Sequence, residues 1–88
     1  TVPSMSTRHR RTLQAVFRDP VSATIVWDDV ERMLVHHGAT IHEGRGSRIS
    51  VALNGLAADF HRPHPQKEAK QYQIRDVRAL LTLAGIKP

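Results

Sequence analysis

Apolar residues recur along the chain at two periods, and the switch between them separates helices from strands. Over residues 7–18, TRHRRTLQAVFR, an apolar edge of Leu13, Val16 and Phe17 lies at helical spacing, and Thr7 is placed to cap it. Asp19-Pro20 ends this helix, because a residue ahead of proline is pushed out of the helical region. After a linker, Trp27, Val30, Leu34 and His37 fall at i, i+3, i+7 and i+10, with Met33 beside them, which predicts a second helix. Asp28, Asp29 and Glu31 occupy its first turn, where the helix dipole favours negative charge, and Gly38 is a natural stop.

The period then drops to two. ATIHE (39–43) is a short strand centred on Ile41, and SRISVAL (47–53) puts Ile49, Val51 and Leu53 on one face. Asn54-Gly55 is a two-residue type I′ hairpin signal, and LAADFHR (56–62) alternates again with Leu56, Ala58 and Phe60 inward. The prolines and polar run of 63–73 predict a loop, with Arg62, His64 and Lys67 making it mobile and basic. Ile74, Val77, Leu80, Leu81 and Ala84 form the stripe of a closing helix that Gly85 stops. The order is helix, helix, three strands, helix. Three strands alone would leave Ile49, Val51 and Phe60 wet, so the helices must cover one sheet face. The other face is open and polar, and parity sends His42, Arg48, Ser50, Asp59 and His61 to it.

Composition narrows the class. At 88 residues with 40% apolar content, the chain is one small globular domain over 5–88. Thr1-Val2-Pro3-Ser4 ahead of Met5 read as an expression scar outside the fold. There is no cysteine, which excludes a disulfide framework and thiolate metal sites and fits a reducing, cytoplasmic setting. No apolar run reaches membrane-spanning length and no secretory signal pattern appears. Thirteen Lys and Arg against eight Asp and Glu give +5, with six histidines in addition. So basic a small domain points to a polyanionic partner such as nucleic acid or an acidic protein. Arg8, Arg10, Arg11 and Arg18 crowd the first helix. A solvated face is the simpler reading of them, and a nucleic-acid arm of a DNA-binding or regulatory domain the other.

The second helix ending in LVHHGATI, GRGSR opening a strand, a hairpin, a loop of prolines and histidines, and the closing IRDVRALLTLAGI together resemble the HicA family. Those are the small toxins of bacterial HicA–HicB toxin–antitoxin pairs. The likeness spans about 25–87, with Gly46-Ser47 and LLTLAGI (80–86) its most specific parts; 7–19 is an N-terminal helical extension. The resemblance implies an α+β, double-stranded-RNA-binding-like fold, α-β-β-β-α, with a three-stranded antiparallel sheet and here an extra N-terminal helix. It also implies mRNA as substrate, ribosome-independent cleavage, and neutralisation by a HicB-like antitoxin. Such toxins carry their catalytic histidine after Gly-Ser, where this chain has Arg48. Arginine stays protonated and is no general base. Either activity is lost or another group moves the proton.

Cleaving RNA without metal needs a base for the 2′-hydroxyl, an acid for the leaving oxygen and positive charge for the phosphorane-like state. Histidine suits the first two roles at neutral pH, so His42, His61 and His64 are candidates. His61, His42 and Arg48 make the expected catalytic set. A loop pairing Glu43 with Ser47 would set His42 opposite Arg48, and a two-residue turn at Arg45-Gly46 would set Glu43 there instead. Gly44 and Gly46 let the backbone approach a phosphate, Ser47 can donate to it, Arg45 and Arg48 can pair with it, and the loop of Arg62, His64 and Lys67 can grip phosphate or an acidic antitoxin segment. Pro63 between His61 and His64 removes the helical spacing a metal pair would use, so neither metal nor other cofactor is expected. With Trp27 and Phe60 in the core, base stacking has little beyond Tyr72 to use. The competing function is a catalytically silent RNA- or protein-binding module on the same fold.

Overall fold

The computed structural model describes residues 5–88: α1 (Met5–Val16), α2 (Trp27–His36), β1 (Thr40–Glu43), β2 (Arg48–Leu53), β3 (Leu56–His61) and α3 (Gln71–Leu83). The four residues read as a scar lie outside the described residues. The strands form one antiparallel sheet in the order β1-β2-β3. This is the expected α+β arrangement, α-β-β-β-α preceded by an extra helix. Among the described residues no helix is long and apolar enough to cross a membrane.

Each element follows from its local chemistry. Asn54 (φ 51°) and Gly55 (φ 79°) make the left-handed pair that a type I′ turn requires, so Leu53 pairs directly with Leu56 and the ladder runs to Arg48 opposite His61. Along β2 the alternation is complete, with Ile49, Val51 and Leu53 buried under the helices. Trp27, Val30, Met33 and Leu34 give α2 its buried stripe. Past its end, Gly38 N–H bonds the Val35 carbonyl (3.0 Å) and Ala39 N–H the Leu34 carbonyl (3.0 Å), a Schellman closure. Ile74, Val77, Leu80 and Leu81 bring α3 into the same core. Each such fully buried aliphatic side chain contributes about 1.5–3 kcal/mol.

Three expectations about boundaries are corrected. Thr7 lies within α1 and does not cap it, and α1 stops at Val16, two residues early. α3 begins at Gln71, ahead of its apolar stripe, because Gln73 anchors the helix start. The Gln73 Oε1 accepts the Lys70 N–H (2.9 Å), and its Nε2 donates to the His61 carbonyl (2.6 Å). The loop expected to be mobile is stitched to the segment before α2. Ala69 N–H bonds the Ile25 carbonyl (2.8 Å), Trp27 N–H bonds the Lys67 carbonyl (2.9 Å), and Val26 bridges to Glu68.

α1 lies against α2 and α3 and adds Leu13 and Val16 to the core. Its C-terminal carbonyls, which no intrahelical donor reaches, are taken by Arg78 of α3. The guanidinium donates to Val16 O through Nε (3.0 Å) and Nη2 (2.9 Å), and to Arg18 O (2.8 Å), with the Phe17 ring 5.9 Å away. Arg78→Met keeps the stem and loses the donors. Urea denaturation should show a loss of about 1–2 kcal/mol; unchanged stability would mean water serves those carbonyls equally well.

Candidate functional site

The open face of the sheet carries two cross-strand rows. Gly44, Arg48 and His61 form the outer one, and His42, Ser50 and Asp59 the one beside it. Parity alone places these side chains together, since residues directly opposite on antiparallel strands share a face. Ile49↔Phe60 is a hydrogen-bonded pair, so Arg48↔His61 is the close, non-hydrogen-bonded kind, with Cα atoms about 4.5 Å apart. Arg48, His61, His42 and Asp59 are all exposed. A permanently cationic guanidinium thus stands next to an imidazole, with a second imidazole and a carboxylate one row away.

The β1–β2 connection differs from both expectations. His42 pairs with Ser50 and Glu43 with Ile49, so neither stands opposite Arg48. The cause is a bulge. Arg48 N–H bonds the Arg45 carbonyl (3.1 Å), closing a turn through Gly46 and Ser47, while Gly44 N–H bonds the Arg48 carbonyl (2.8 Å). Gly44 and Arg45 together oppose the single residue Arg48, which moves the register beyond either predicted one. His42 therefore reaches Arg48 diagonally. Gly44 suits a close approach: a Cβ there would lie 3.0 Å from the Arg48 carbonyl oxygen, which would have to give by a few tenths of an ångström. Arg45, Gly46 and Ser47 are exposed at the rim of the open face.

Arg62 is placed elsewhere than expected. Its N–H bonds the Ser47 carbonyl (2.8 Å), which makes it a further rung of the ladder on the covered side of the sheet. There its guanidinium is held between two carboxylates: Nε to Glu31 Oε2 (2.8 Å), Nη2 to Glu31 Oε1 (3.1 Å), Nη1 to Glu43 Oε1 (2.6 Å) and Nη2 to Glu43 Oε2 (2.8 Å). Glu31 also accepts the Trp27 indole N–H (2.6 Å). Its hydrogen bonds to Glu31 first, then to Glu43, push the Arg62 pKa up, and Arg62 in turn holds the Glu43 carboxyl below its usual range. Four of the five guanidinium N–H groups are thus engaged by carboxylates. Arg62 ties α2 to β1 just ahead of the glycine loop. Of the expected basic loop, His64 and Lys67 remain exposed, off the open-face rows.

A second histidine group lies on the helices. The His9 and His36 rings stack at 4.5 Å, and His37 meets His36 edge-on at 5.3 Å. Burial lowers the His37 pKa, and the neighbouring His36 and His9 lower it further. In the unfolded chain His37 binds its proton near pH 6.5, whereas the native chain refuses it until lower pH. Stability should therefore fall as pH drops through the window just below 6.5. Thermal melts between pH 7.5 and 5.5 should show this, and His37→Asn should flatten the slope.

Sequence reasoning missed Gln73, the Glu31–Arg62–Glu43 lock and the His9–His36 stack. For Arg62 a signal existed, since it has the parity of Phe60. For the other contacts, which join elements distant in the chain, there was none. Residues 27–86 match the family model described as HicA toxin of bacterial toxin–antitoxin systems. No curated protein and no solved structure matches the chain.

Proposed function

Because the chain belongs to the HicA toxin family of bacterial toxin–antitoxin systems, we infer that it binds mRNA on the open face of its sheet and cleaves it without metal. As the toxin of such a pair it is held by an antitoxin, here a HicB-like protein. The observation that carries the inference is Arg48 directly across from His61, with His42 diagonal to Arg48. His61 takes the 2′-hydroxyl proton as that oxygen attacks phosphorus. The bond from phosphorus to the 5′-oxygen breaks, and His42 returns a proton to the leaving oxygen. A 2′,3′-cyclic phosphate and a 5′-hydroxyl result. Arg48 stabilises the charge that builds on the pentacoordinate phosphate. Gly44, Arg45, Gly46 and Ser47 hold a neighbouring phosphate through backbone N–H, hydroxyl and guanidinium donors. His64 and Lys67 meet the strand further along.

The second reading, a silent RNA-binding module, is favoured by one feature: arginine stands where the resembled toxins have histidine. A single assay separates the two. The protein is incubated with a defined single-stranded RNA, with and without EDTA, beside Arg48→Ala. Cleavage should persist in EDTA and fall about a hundredfold in the variant. RNA bound but uncut by the wild type would establish the silent module, and cleavage abolished by EDTA would require a metal.

A further inference from the structure

We propose that the free edge of β1 is a strand-docking site for a partner protein, taking an extended segment that alternates apolar and acidic residues. In the β1–β2 ladder the hydrogen-bonded pairs recur at Gly44, His42 and Thr40, so Ile41 and Glu43 point their N–H and C=O groups away from the sheet. The opposite edge is partly capped, since Gln73 takes the His61 carbonyl. Beside the β1 edge, α2 overhangs a groove of about 470 Å³ lined by Val35, Ile41, His36, His9, Arg32 and Glu31. Its floor is apolar, and Val35 is 52% exposed, unusual for a valine on a helix that otherwise buries its apolar side chains.

Geometry dictates the pattern of the occupant. On a strand added to β1, the residue opposite Ile41 points to the covered side, into the groove between Val35 and His36. Its neighbours along the strand point to the open face, beside His42 and, past it, Arg48 and Arg45. Apolar side chains fit the first set and acidic ones the second, and the net charge of +5 favours an acidic partner overall. Such a segment would place carboxylates where RNA phosphates are proposed to bind, so one docking event would both recognise and block the face. This last consequence rests on the proposed RNA site; the docking does not. His9, which stacks on His36, belongs to the extension outside the matched 27–86, so α1 contributes a wall to the recognition groove.

The test uses the whole chain, labelled with 15N, and a short synthetic peptide alternating glutamate and valine. Binding should slow amide exchange at Ile41 and Glu43 and shift Val35. A lysine–valine counterpart should bind about tenfold more weakly, and Val35→Glu should weaken the acidic peptide about tenfold with unchanged circular dichroism. If Val35→Glu disturbs the fold, Ile41→Thr is read in its place and should do the same. Peptide shifts confined to Arg48 and His61, with no protection at Ile41, overturn the proposal. So do self-association through β1 in sedimentation without peptide, and protection of Ile41 by RNA in place of peptide. RNA cleavage is scored separately, so failure of one site leaves the other standing.

Discussion

His61→Ala should lower RNA cleavage by about a hundred- to ten-thousand-fold while RNA binding changes by only a few-fold. The imidazole stands exposed on the sheet surface, so its removal opens no cavity and the melting temperature should hardly move. Two features make the loss specific. An arginine side chain offers no lone pair to take the 2′-hydroxyl proton, so Arg48 across the strand cannot substitute. Asp59, one row along the same strand, stands opposite Ser50 and not opposite Arg48, so its carboxylate is not held where the imidazole was. His42→Ala should cost less, because water can protonate the leaving oxygen. Cleavage equal to wild type in His61→Ala would remove this residue from the chemistry and move attention to His42 and His64.

Arg62→Ala should lower stability by about 2 kcal/mol, the largest effect expected for a polar side chain here. The pair is partly buried, with Glu31 at 15% and Arg62 at 34% side-chain exposure. That places it between exposed pairs, worth up to about 1 kcal/mol, and fully buried ones, whose breaking costs about 3–5 kcal/mol. The cost is mainly that of stranding Glu31, which keeps only the Trp27 indole donor. Replacing both partners, Arg62→Met with Glu31→Gln, should recover much of the loss, because the one carboxylate left unpaired, Glu43, is exposed to water. A fall of about 10 °C in melting temperature would accompany the single change in a domain this size. The variant should also bind RNA more weakly, since Glu43 is released beside the glycine loop and repels phosphate. Stability equal to wild type would mean the three-residue lock is solvated and contributes nothing.

How far the sequence predicts this molecule depends on the range of the interaction. The hairpin was legible because Asn54-Gly55 is a local signal with a single geometric solution, and it fixed the pairing of Arg48 with His61 through strict alternation. The open face was legible by the same parity, and His42, Arg48, Ser50, Asp59 and His61 all lie on it. The β1–β2 register was not, because a bulge of one residue at Gly44-Arg45 changes the partner of every residue in β1 without altering composition or pattern. Arg62 shows the other limit. Next to Pro63 it reads as the start of a loop, yet it is paired with Ser47 and turned under the sheet by two glutamates, one 31 positions away. The α3 start and the stitched loop depend likewise on Gln73 and on Ile25 to Trp27, contacts that no window along the chain contains.

Titrating 15N-labelled protein with a short single-stranded RNA gives the most direct test of where the sugar-phosphate strand lies. Amide shifts should gather on His42, Gly44 to Ser50 and Asp59 to His61, with α1 silent. Shifts gathered on Arg8, Arg11 and Arg18, with the sheet unmoved, would contradict an RNA site on the open face.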